Sequence, residues 1–237
     1  MRLDKYISGA ADLSRKEAGT AVRRGRVAVG GVKISDPAAQ VPDGASVTLD
    51  GTEVSYREFC YVMLNKPEGY VSSTDDPGAP TVMELLPPEL VRMGLFPCGR
   101  LDRYTTGLMI LTNDGGASHR ALSPKSHVEK AYAFTCRDPL ERVDELESGV
   151  HIAGGYLTKP CKVEKTGDRE GRITLREGKY HQIKQMLEAV GNKIVTLERI
   201  SFAGIPLDPA LARGEWRELT AEEEILFTGA KKKEDKK

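Results

Sequence analysis

The sequence lacks the patterns that bind metals or nucleotide cofactors and those that form disulfide frameworks. Its four cysteines are separated by 38, 38 and 25 residues without a CxxC pair, and its four histidines form no HExxH pattern. We interpret the cysteines as core or incidental thiols. GxGxxG, GxxxxGK[ST] and GxSxG are also absent, which argues against the usual nucleotide-cofactor enzymes and serine hydrolases. We expect no metal and no cofactor, so any chemistry would come from side chains alone.

The sequence also lacks the features of membrane and secreted proteins. No apolar run approaches the ~18 residues of a membrane-spanning helix, and the start, MRLDKYISGA, has no signal-peptide hydrophobic region. The 237 residues are 39% apolar and 30% charged, with a mean hydropathy of -0.40, which is typical of a globular protein with a buried core. We expect a cytoplasmic protein of one large domain or two smaller ones, with no membrane partner.

The formal net charge of zero conceals an uneven distribution. Residues 1–35 contain eight basic and three acidic side chains, and residues 231–237 contain five and two. The rest of the chain is therefore acidic overall, with 22 basic and 30 acidic side chains. An anionic partner would be bound by the N-terminal segment and by local patches rather than by the whole surface.

The N-terminal region predicts a basic helix followed by a hairpin. Ser14 and Glu17 form a capping-box pattern, and Gly25 can end the helix. On a helical wheel, basic side chains cluster beside the apolar stripe, and Gly30-Gly31 suits a two-residue hairpin turn. The basic residues at or near this face are Arg15, Lys16, Arg23, Arg24 and Arg26. The face either binds phosphates or is merely solvated, and charge alone does not decide between the two.

A change of pattern near residue 60 predicts a domain boundary. We assign residues 1–59 to a first domain, residues 60–230 to a second, and residues 231–237, which hold no apolar side chain, to a disordered charged tail. The second domain combines dense apolar strands with few helices, which favours an α+β fold over alternating βαβ units. Its clearest helix is predicted over residues 181–190, where apolar side chains follow the i, i+3, i+4, i+7 spacing.

Three side chains of the second domain are candidates for chemistry, and each has an ordinary structural alternative. Asp102 lies in a loop just before the apolar strand 108–112, where it is either an accessible group on a rigid scaffold or an acceptor of backbone hydrogen bonds. Lys184, at the edge of a helix's apolar stripe, either needs a carboxylate partner or covers the core with its stem. Tyr132 either stacks on a base or packs in the core.

Several segments together resemble the RsuA-type pseudouridine synthases, which carry an N-terminal S4 RNA-binding module. Residues 1–34 resemble that module, NKPEGYVSSTDDP the start of the catalytic domain, and GRLDRYTTGL the family's signature loop. KAY, EGKYHQIKQM and GEWREL follow in the same order and spacing. The resemblance spans almost the whole chain. It implies a small S4-like α/β RNA-binding module followed by a larger, mixed, mainly antiparallel β-sheet catalytic domain with flanking helices.

The resemblance implies a role for each candidate residue. Asp102 would be the essential carboxylate, Lys184 its basic partner, and Tyr132 the aromatic side chain that packs on the target uracil. Arg100 resembles the residue that fills the gap left by the displaced base. The carboxylate would act ionised, either removing a ribose proton or attacking covalently, and the sequence does not decide between the two. The N-terminal basic residues would hold RNA phosphates.

The resemblance also implies a ribosomal RNA partner. NKPEGYVSSTDDP, KAY and YHQIKQM look closer to the small-subunit enzymes than to the large-subunit ones. Our hypothesis is a monomeric enzyme that converts one uridine of 16S ribosomal RNA to pseudouridine, bound within an assembling small subunit. The alternatives are a large-subunit (23S) enzyme of the same family, and a non-catalytic RNA-binding assembly factor in which Asp102 is structural.

Overall fold

A computed structural model describes residues 1–11, 13–123 and 125–229. Two units separate at residue 60, Met1–Cys60 and Tyr61–Lys237, which is one residue after the predicted boundary. The predicted charged tail at residues 231–237 lies outside the described residues. In the described part of the chain, no helix has both the length and the apolar content to cross a bilayer.

The first unit packs two helices against a small antiparallel sheet. Its elements are α1 (Leu3–Ala10), α2 (Arg15–Arg23), β1 (Val27–Val29), β2 (Val32–Lys33), β3 (Val47–Leu49) and β4 (Thr52–Glu53). The strands pair in the order β2-β1-β3-β4. The core is formed by apolar side chains from both helices and from the sheet, including Leu3, Ile7, Ala18, Ala21, Val22, Val27 and Val47. The interpretation of this unit as an S4-like RNA-binding module remains a prediction.

The predicted helix and hairpin of the first unit are present. The Ser14 hydroxyl accepts a hydrogen bond from the Glu17 amide, and the Glu17 carboxylate accepts one from the Ser14 amide at 2.8 Å. Helix α1 was missed because the residue before it, Arg2, makes no side-chain cap. The assignment of Arg26 to the basic face of the helix was wrong, because α2 ends at Arg23 and Gly25 turns the chain with φ of 70°.

The second unit is a long mixed sheet with flanking helices. Its strands are β5 (Tyr61–Lys66), β6 (Phe96–Pro97), β7 (Thr106–Thr112), β8 (Lys130–Cys136), β9 (His151–Ile152), β10 (Tyr156–Leu157), β11 (Lys162–Lys165), β12 (Glu170–Leu175), β13 (Ile194–Phe202), β14 (Ile205–Pro206) and β15 (Trp216–Glu218). Its α-helices are α3 (Pro88–Arg92), α4 (Gly115–Leu122), α5 (Val143–Ser148), α6 (Gln182–Ala189) and α7 (Ala221–Thr228), with short 3-10 turns at Val82–Leu85 and Ala153–Gly155.

The main sheet has the strand order β11-β12-β8-β13-β7-β5-β15, with β14 added to β13 and β6 to β7, while β9 and β10 form a separate hairpin. Among the described strands, β7 and β13 form the parallel pair, and the other pairs are antiparallel. The prediction of a mainly antiparallel α+β fold is confirmed. The continuous apolar run of β7 suits its central place, because a strand covered on both faces does not alternate.

Two apolar clusters contribute to the core of this unit. One contains Phe134 of β8 together with α6 side chains such as Met186 and Leu187, and the other contains Leu108 and Ile110 of β7. The predicted helix near residues 181–190 therefore packs with its apolar stripe inward. Helix α4 was not predicted, because an Asp-Gly pair such as Asp114-Gly115 is typical of a turn; here the Asp114 carboxylate caps the helix by accepting the Ala117 amide. Cys60, Cys98 and Cys136 are buried and Cys161 is partly so, and all four are free thiols.

Candidate active site

The three candidate side chains of the second unit line one cleft of about 570 Å³. Asp102 lies in the loop before β7, Tyr132 on β8 and Lys184 in the first turn of α6. Strand β13 lies between β7 and β8 in the sheet, so the Asp102 loop and the Tyr132 strand are held on neighbouring parts of one rigid scaffold. Arg100, exposed just before Asp102 in the chain, also lines this cleft.

Each oxygen of the Asp102 carboxylate faces a side-chain nitrogen. Lys184 Nζ donates to Oδ2 at 2.7 Å, and His181 Nε2 lies 3.4 Å from Oδ1. The side chains of Asp102 and Lys184 are 27% and 28% exposed, so the pair is shielded but reachable from solvent. Lys184 therefore has the carboxylate partner that the sequence left open.

The loop that carries Asp102 is braced by the segment after β5. The Ser72 hydroxyl donates to the Leu101 carbonyl at 2.8 Å and accepts from the Leu101 amide at 2.9 Å. Arg103 donates through Nε to the Gly69 carbonyl at 3.0 Å, and its own carbonyl accepts from the Gly69 amide at 2.8 Å. Hydrogen bonds therefore join segments NKPEGYVSS and GRLDRYTTGL. This contact is a physical reason for both motifs to occur in one sequence.

Lys66, at the end of β5, fixes the same loop from inside. The side chain is fully buried, and Nζ lies within 3.2 Å of four carbonyl oxygens, which belong to Pro67, Asp102, Arg103 and Thr105. Burial lowers the pKa of Lys66 to about 8, although the nearby Asp102 charge opposes this shift. An ammonium surrounded by carbonyl oxygens orients the backbone on both sides of the candidate acid.

Arg199 is a buried cation in the wall of the cleft. It is 2% exposed on β13, where it pairs with Tyr132 of β8, and its Nε donates to the Leu108 carbonyl at 2.7 Å. Its Nη2 is the one fully buried side-chain nitrogen or oxygen in the described part of the chain without a hydrogen-bond partner. Burial lowers the pKa of Lys130, which also lines the cleft, and Arg199 lowers it further. The cleft is therefore positively charged around Asp102.

The segment before α6 forms one rim of the cleft. The Glu177 carboxylate accepts from the Tyr156 hydroxyl at 2.7 Å and from the Gln182 side chain at 2.7 Å. These hydrogen bonds help to keep the pKa of Glu177 below its usual value, although burial opposes the shift. His181 takes the left-handed conformation, with φ of 49°, at the N-cap of α6. This backbone turn brings its ring to Asp102 while Lys184 reaches the same carboxylate from the helix.

The basic residues predicted to bind RNA in the first unit, Arg15, Lys16, Arg23, Arg24 and Arg26, are all exposed. Two of them have acidic neighbours, because Arg15 lies 3.5 Å from Asp4 and Arg26 donates through Nε to Asp50 at 2.8 Å. Arg23 is the last residue of α2, and Arg24 is its C-cap. Among the residues that the structure describes, no group of three His, Cys, Asp or Glu side chains is placed to hold a metal ion.

Sequence reasoning missed two residues that line the cleft, His181 and Arg199, and one that supports its Asp102 loop, Lys66. Lys66 and His181 lie inside quoted motifs, NKPEGYVSS and EGKYHQIKQM, but neither was singled out. A lysine at the end of an apolar strand was a usable signal for Lys66, since burying an ammonium requires nearby acceptors. For Arg199 no such signal exists, because its burial depends on the β8-β13-β7 pairing.

Comparison with known proteins gives consistent matches. Residues 60–189 match the family described as RNA pseudouridylate synthase. The chain is 50% identical over 230 residues to the uncharacterized RNA pseudouridine synthase YtzG of Bacillus subtilis, covering 94% of this chain and 96% of that protein. It is 43% identical over 227 residues to ribosomal small subunit pseudouridine synthase A of Escherichia coli, covering 94% and 98%. A solved structure, described as the crystal structure of pseudouridylate synthase, is 38% identical, with a TM-score of 0.68 over 96% of this chain and 99% of that one.

Proposed function

The chain belongs to the RsuA-type RNA pseudouridine synthases, and on that basis we propose that it converts one uridine of 16S ribosomal RNA to pseudouridine, with Asp102 as the essential carboxylate. The observation that supports this role most directly is the 2.7 Å contact between Lys184 Nζ and Asp102 Oδ2 inside the cleft. A carboxylate held by one cation, and open to the cleft, suits attack on a ribose or removal of its proton.

The reaction needs no redox partner, because product and substrate are isomers. The N1–C1′ bond of the uridine breaks, the uracil rotates, and C5 bonds to C1′. The proton on C5 is lost and N1 gains one, so atoms and electrons balance. Asp102 would either take the C2′ proton and later return it, or bond to the sugar and later leave. Tyr132 would pack on the uracil during its rotation, since an aromatic ring holds a base without fixing its in-plane angle.

The target must leave its helical stack before it reaches Asp102, at a cost of a few kcal/mol for a paired base. Arg100, exposed at the cleft, would occupy the gap that the base leaves. The exposed basic residues of the first unit, foremost Arg23 and Arg24, would bind RNA phosphates, which gives affinity with little sequence information. The small-subunit relatives support 16S RNA as the substrate.

The decisive experiment maps pseudouridines in ribosomal RNA from cells with and without the gene, and from cells that carry only the Asp102→Asn variant. We expect one 16S pseudouridine to disappear in both mutant strains. Loss of a 23S pseudouridine instead would overturn the 16S assignment but keep the chemistry. If the Asp102→Asn strain keeps the modification while the deletion loses it, Asp102 is not the essential carboxylate. No change in either RNA would count against a ribosomal substrate.

A further inference from the structure

An exposed aromatic pair lies at the rim of the cleft, apart from the residues assigned to the reacting base. The Tyr180 side chain is 79% exposed and stacks on His181, with ring centroids 3.9 Å apart and an interplanar angle of 18°. Both residues line the cleft. One face of the Tyr180 ring is covered by the imidazole, and the high exposure of the side chain leaves much of the rest of the ring in contact with water.

The backbone beneath Tyr180 is held at several points. The Tyr180 carbonyl accepts from Gln185 Nε2 at 2.5 Å, and Gln185 Oε1 accepts from the Ala153 amide at 2.9 Å. One residue earlier, the Lys179 amide donates to Gln182 Oε1 at 2.8 Å. The segment is thus tied both to helix α6 and to the turn before β10. An exposed ring on a fixed backbone loses little conformational entropy when it binds a flat ligand.

The pair is connected to the proposed chemistry through His181. His181 Nε2 lies 3.4 Å from Asp102 Oδ1, and the other carboxylate oxygen is held by Lys184. The 3.9 Å spacing between the two rings resembles that of stacked bases. A base placed on the free face of Tyr180 would therefore lie two ring spacings from the His181 ring that faces Asp102, and so outside the reacting position.

We propose that Tyr180 forms a stacking subsite for an unpaired base next to the target uridine, with the His181 ring as its support. The proposal rests on the proposed function, because it assumes an RNA substrate at Asp102. Every base has a flat π face, so this subsite selects for an unstacked nucleotide at the flank rather than for a particular base. It would help to keep the flanking nucleotide out of the helix while the target is extruded.

The test compares Tyr180→Ala with Tyr180→Trp on a short RNA that carries the target. We expect Tyr180→Ala to raise KM about 5- to 100-fold, with kcat within about twofold, because stacking on one base contributes on this scale. Tyr180→Trp should keep KM near the wild-type value, since it retains an aromatic face. Leu157→Ala, which removes an exposed apolar side chain from β10, is the matched control and should change neither constant.

A second RNA identifies the nucleotide. When the stacked base is replaced by an abasic site, wild type and Tyr180→Ala should have the same KM. The stacking role is wrong if Tyr180→Ala still has a higher KM than wild type on both abasic RNAs, one for each nucleotide that flanks the target. It is also wrong if Tyr180→Ala lowers kcat instead of raising KM. The stacking role is also wrong if wild type and Tyr180→Ala differ in KM only when a protein of the small subunit is present, because Tyr180 would then contact that protein rather than the RNA.

A binding measurement separates this proposal from the proposed function. Asp102→Asn should bind RNA without turnover, and 2-aminopurine at the stacked position should be quenched by this variant but not by Asp102→Asn/Tyr180→Ala. Quenching without any pseudouridine from the wild type would overturn the proposed function and support the subsite. The subsite alone would be overturned if the wild type forms pseudouridine but 2-aminopurine, placed in turn at each position that flanks the target, fluoresces equally with Asp102→Asn and with Asp102→Asn/Tyr180→Ala.

Discussion

Lys184 Nζ donates to Asp102 Oδ2 across 2.7 Å, although 82 residues separate the two in the chain. Helix α6 and the loop before β7 supply the two partners, and β13 lies between β7 and β8 in the supporting sheet. The contact is one of two on the carboxylate, since His181 approaches the other oxygen. The pair therefore has a fixed orientation before any RNA is bound, which is the condition for rapid reaction of a positioned group.

Asp102→Asn should abolish pseudouridine formation while RNA affinity changes less than about threefold. The amide has nearly the shape of the carboxylate but can neither accept a proton efficiently nor attack the sugar. Tritium release from 5-labelled uridine measures the chemistry, and filter binding measures the affinity. Turnover within about tenfold of wild type would remove Asp102 from its proposed role, and a parallel loss of affinity would indicate a folding defect instead.

Lys184→Met should lower kcat by about 10²-fold or more, because the Asp102 carboxylate would lose the cation that orients it in the shielded cleft. Lys184→Arg should restore part of the rate, since it returns the positive charge with a different geometry. Lys193→Met, which removes an exposed lysine beyond the C-terminal end of α6, is the control. Equal single-turnover rates for Lys184→Met and this control would show that Lys184 is only a surface residue.

Local patterns predicted much of the secondary structure. The capping box of α2, the Gly30-Gly31 hairpin and the apolar stripe of α6 are signals confined to a few residues, and all three elements formed as expected. The α+β class followed from the dense apolar strands and few helices that the sequence predicts after residue 60. Helix α1 lacked a side-chain cap, and Asp114 can begin either a turn or a helix, so α1 and α4 were not predicted.

The site was predictable only in part. The sequence and its family resemblance indicated Asp102, Tyr132 and Lys184, and the structure brings them to one cleft. The sequence could not show the four carbonyl oxygens around Lys66 or the buried guanidinium of Arg199, because each depends on contacts between segments far apart in the chain. Periodicity describes which face of an element is buried, but not which backbone atoms meet a buried charge.

Lys66→Met should lower both stability and turnover. Four carbonyl oxygens would lose their buried donor, and each unsatisfied group costs about 1–3 kcal/mol unless the loop relaxes. We expect the free energy of unfolding, measured with urea, to fall by at least about 2 kcal/mol. Turnover should fall even at temperatures where the variant is fully folded, since Asp102 and Arg103 are among the residues released. A folded variant with unchanged kcat would show that Lys66 does not position the loop.

The stability difference between wild type and Lys66→Met should also depend on pH. The pKa of Lys66 is about 8 in the folded chain, against 10.5 for an ordinary lysine. Between these values the unfolded wild-type chain binds a proton at this position that the folded chain does not, so its free energy of unfolding rises with pH, by up to ~1.4 kcal/mol per unit. Wild type should therefore gain stability relative to the variant across this window. A difference that stays constant from about pH 7 to pH 10 would contradict the lowered pKa.

Gly107→Ala should severely destabilise the fold of the second unit. Gly107 lies on β7 with φ of 96°, and an added Cβ would meet the Arg199 carbonyl oxygen at 2.3 Å. The parallel β7-β13 pairing would have to open, so we expect a loss of more than about 3 kcal/mol, or failure to fold. Gly115→Ala, at the start of α4 with open space around it, should stay within about 1 kcal/mol of wild type. Similar melting temperatures for the two variants would contradict the close approach of Gly107 to the Arg199 carbonyl.

Reversing Arg23 and Arg24 to Glu should weaken RNA binding and reduce its dependence on salt. Each phosphate contact that is lost removes somewhat less than one unit from the slope of log affinity against log salt, so we expect the slope to become smaller by about 1–2. The cleft that contains Asp102 belongs to the other unit, and kcat at saturating RNA should stay close to the wild-type value.

Two controls make this last measurement specific. Reversing Lys162 and Arg172 to Glu changes the net charge by the same amount on exposed positions of β11 and β12, neither of which lines the cleft. It should leave the salt slope nearly unchanged, because those strands lie in the other unit. Replacing Arg23 and Arg24 by Gln removes their charges without placing carboxylates at the C-terminal end of α2, where they would oppose the helix dipole. If both pairs of reversals weaken binding equally, the effect is one of total charge and the first unit is not the RNA-binding surface.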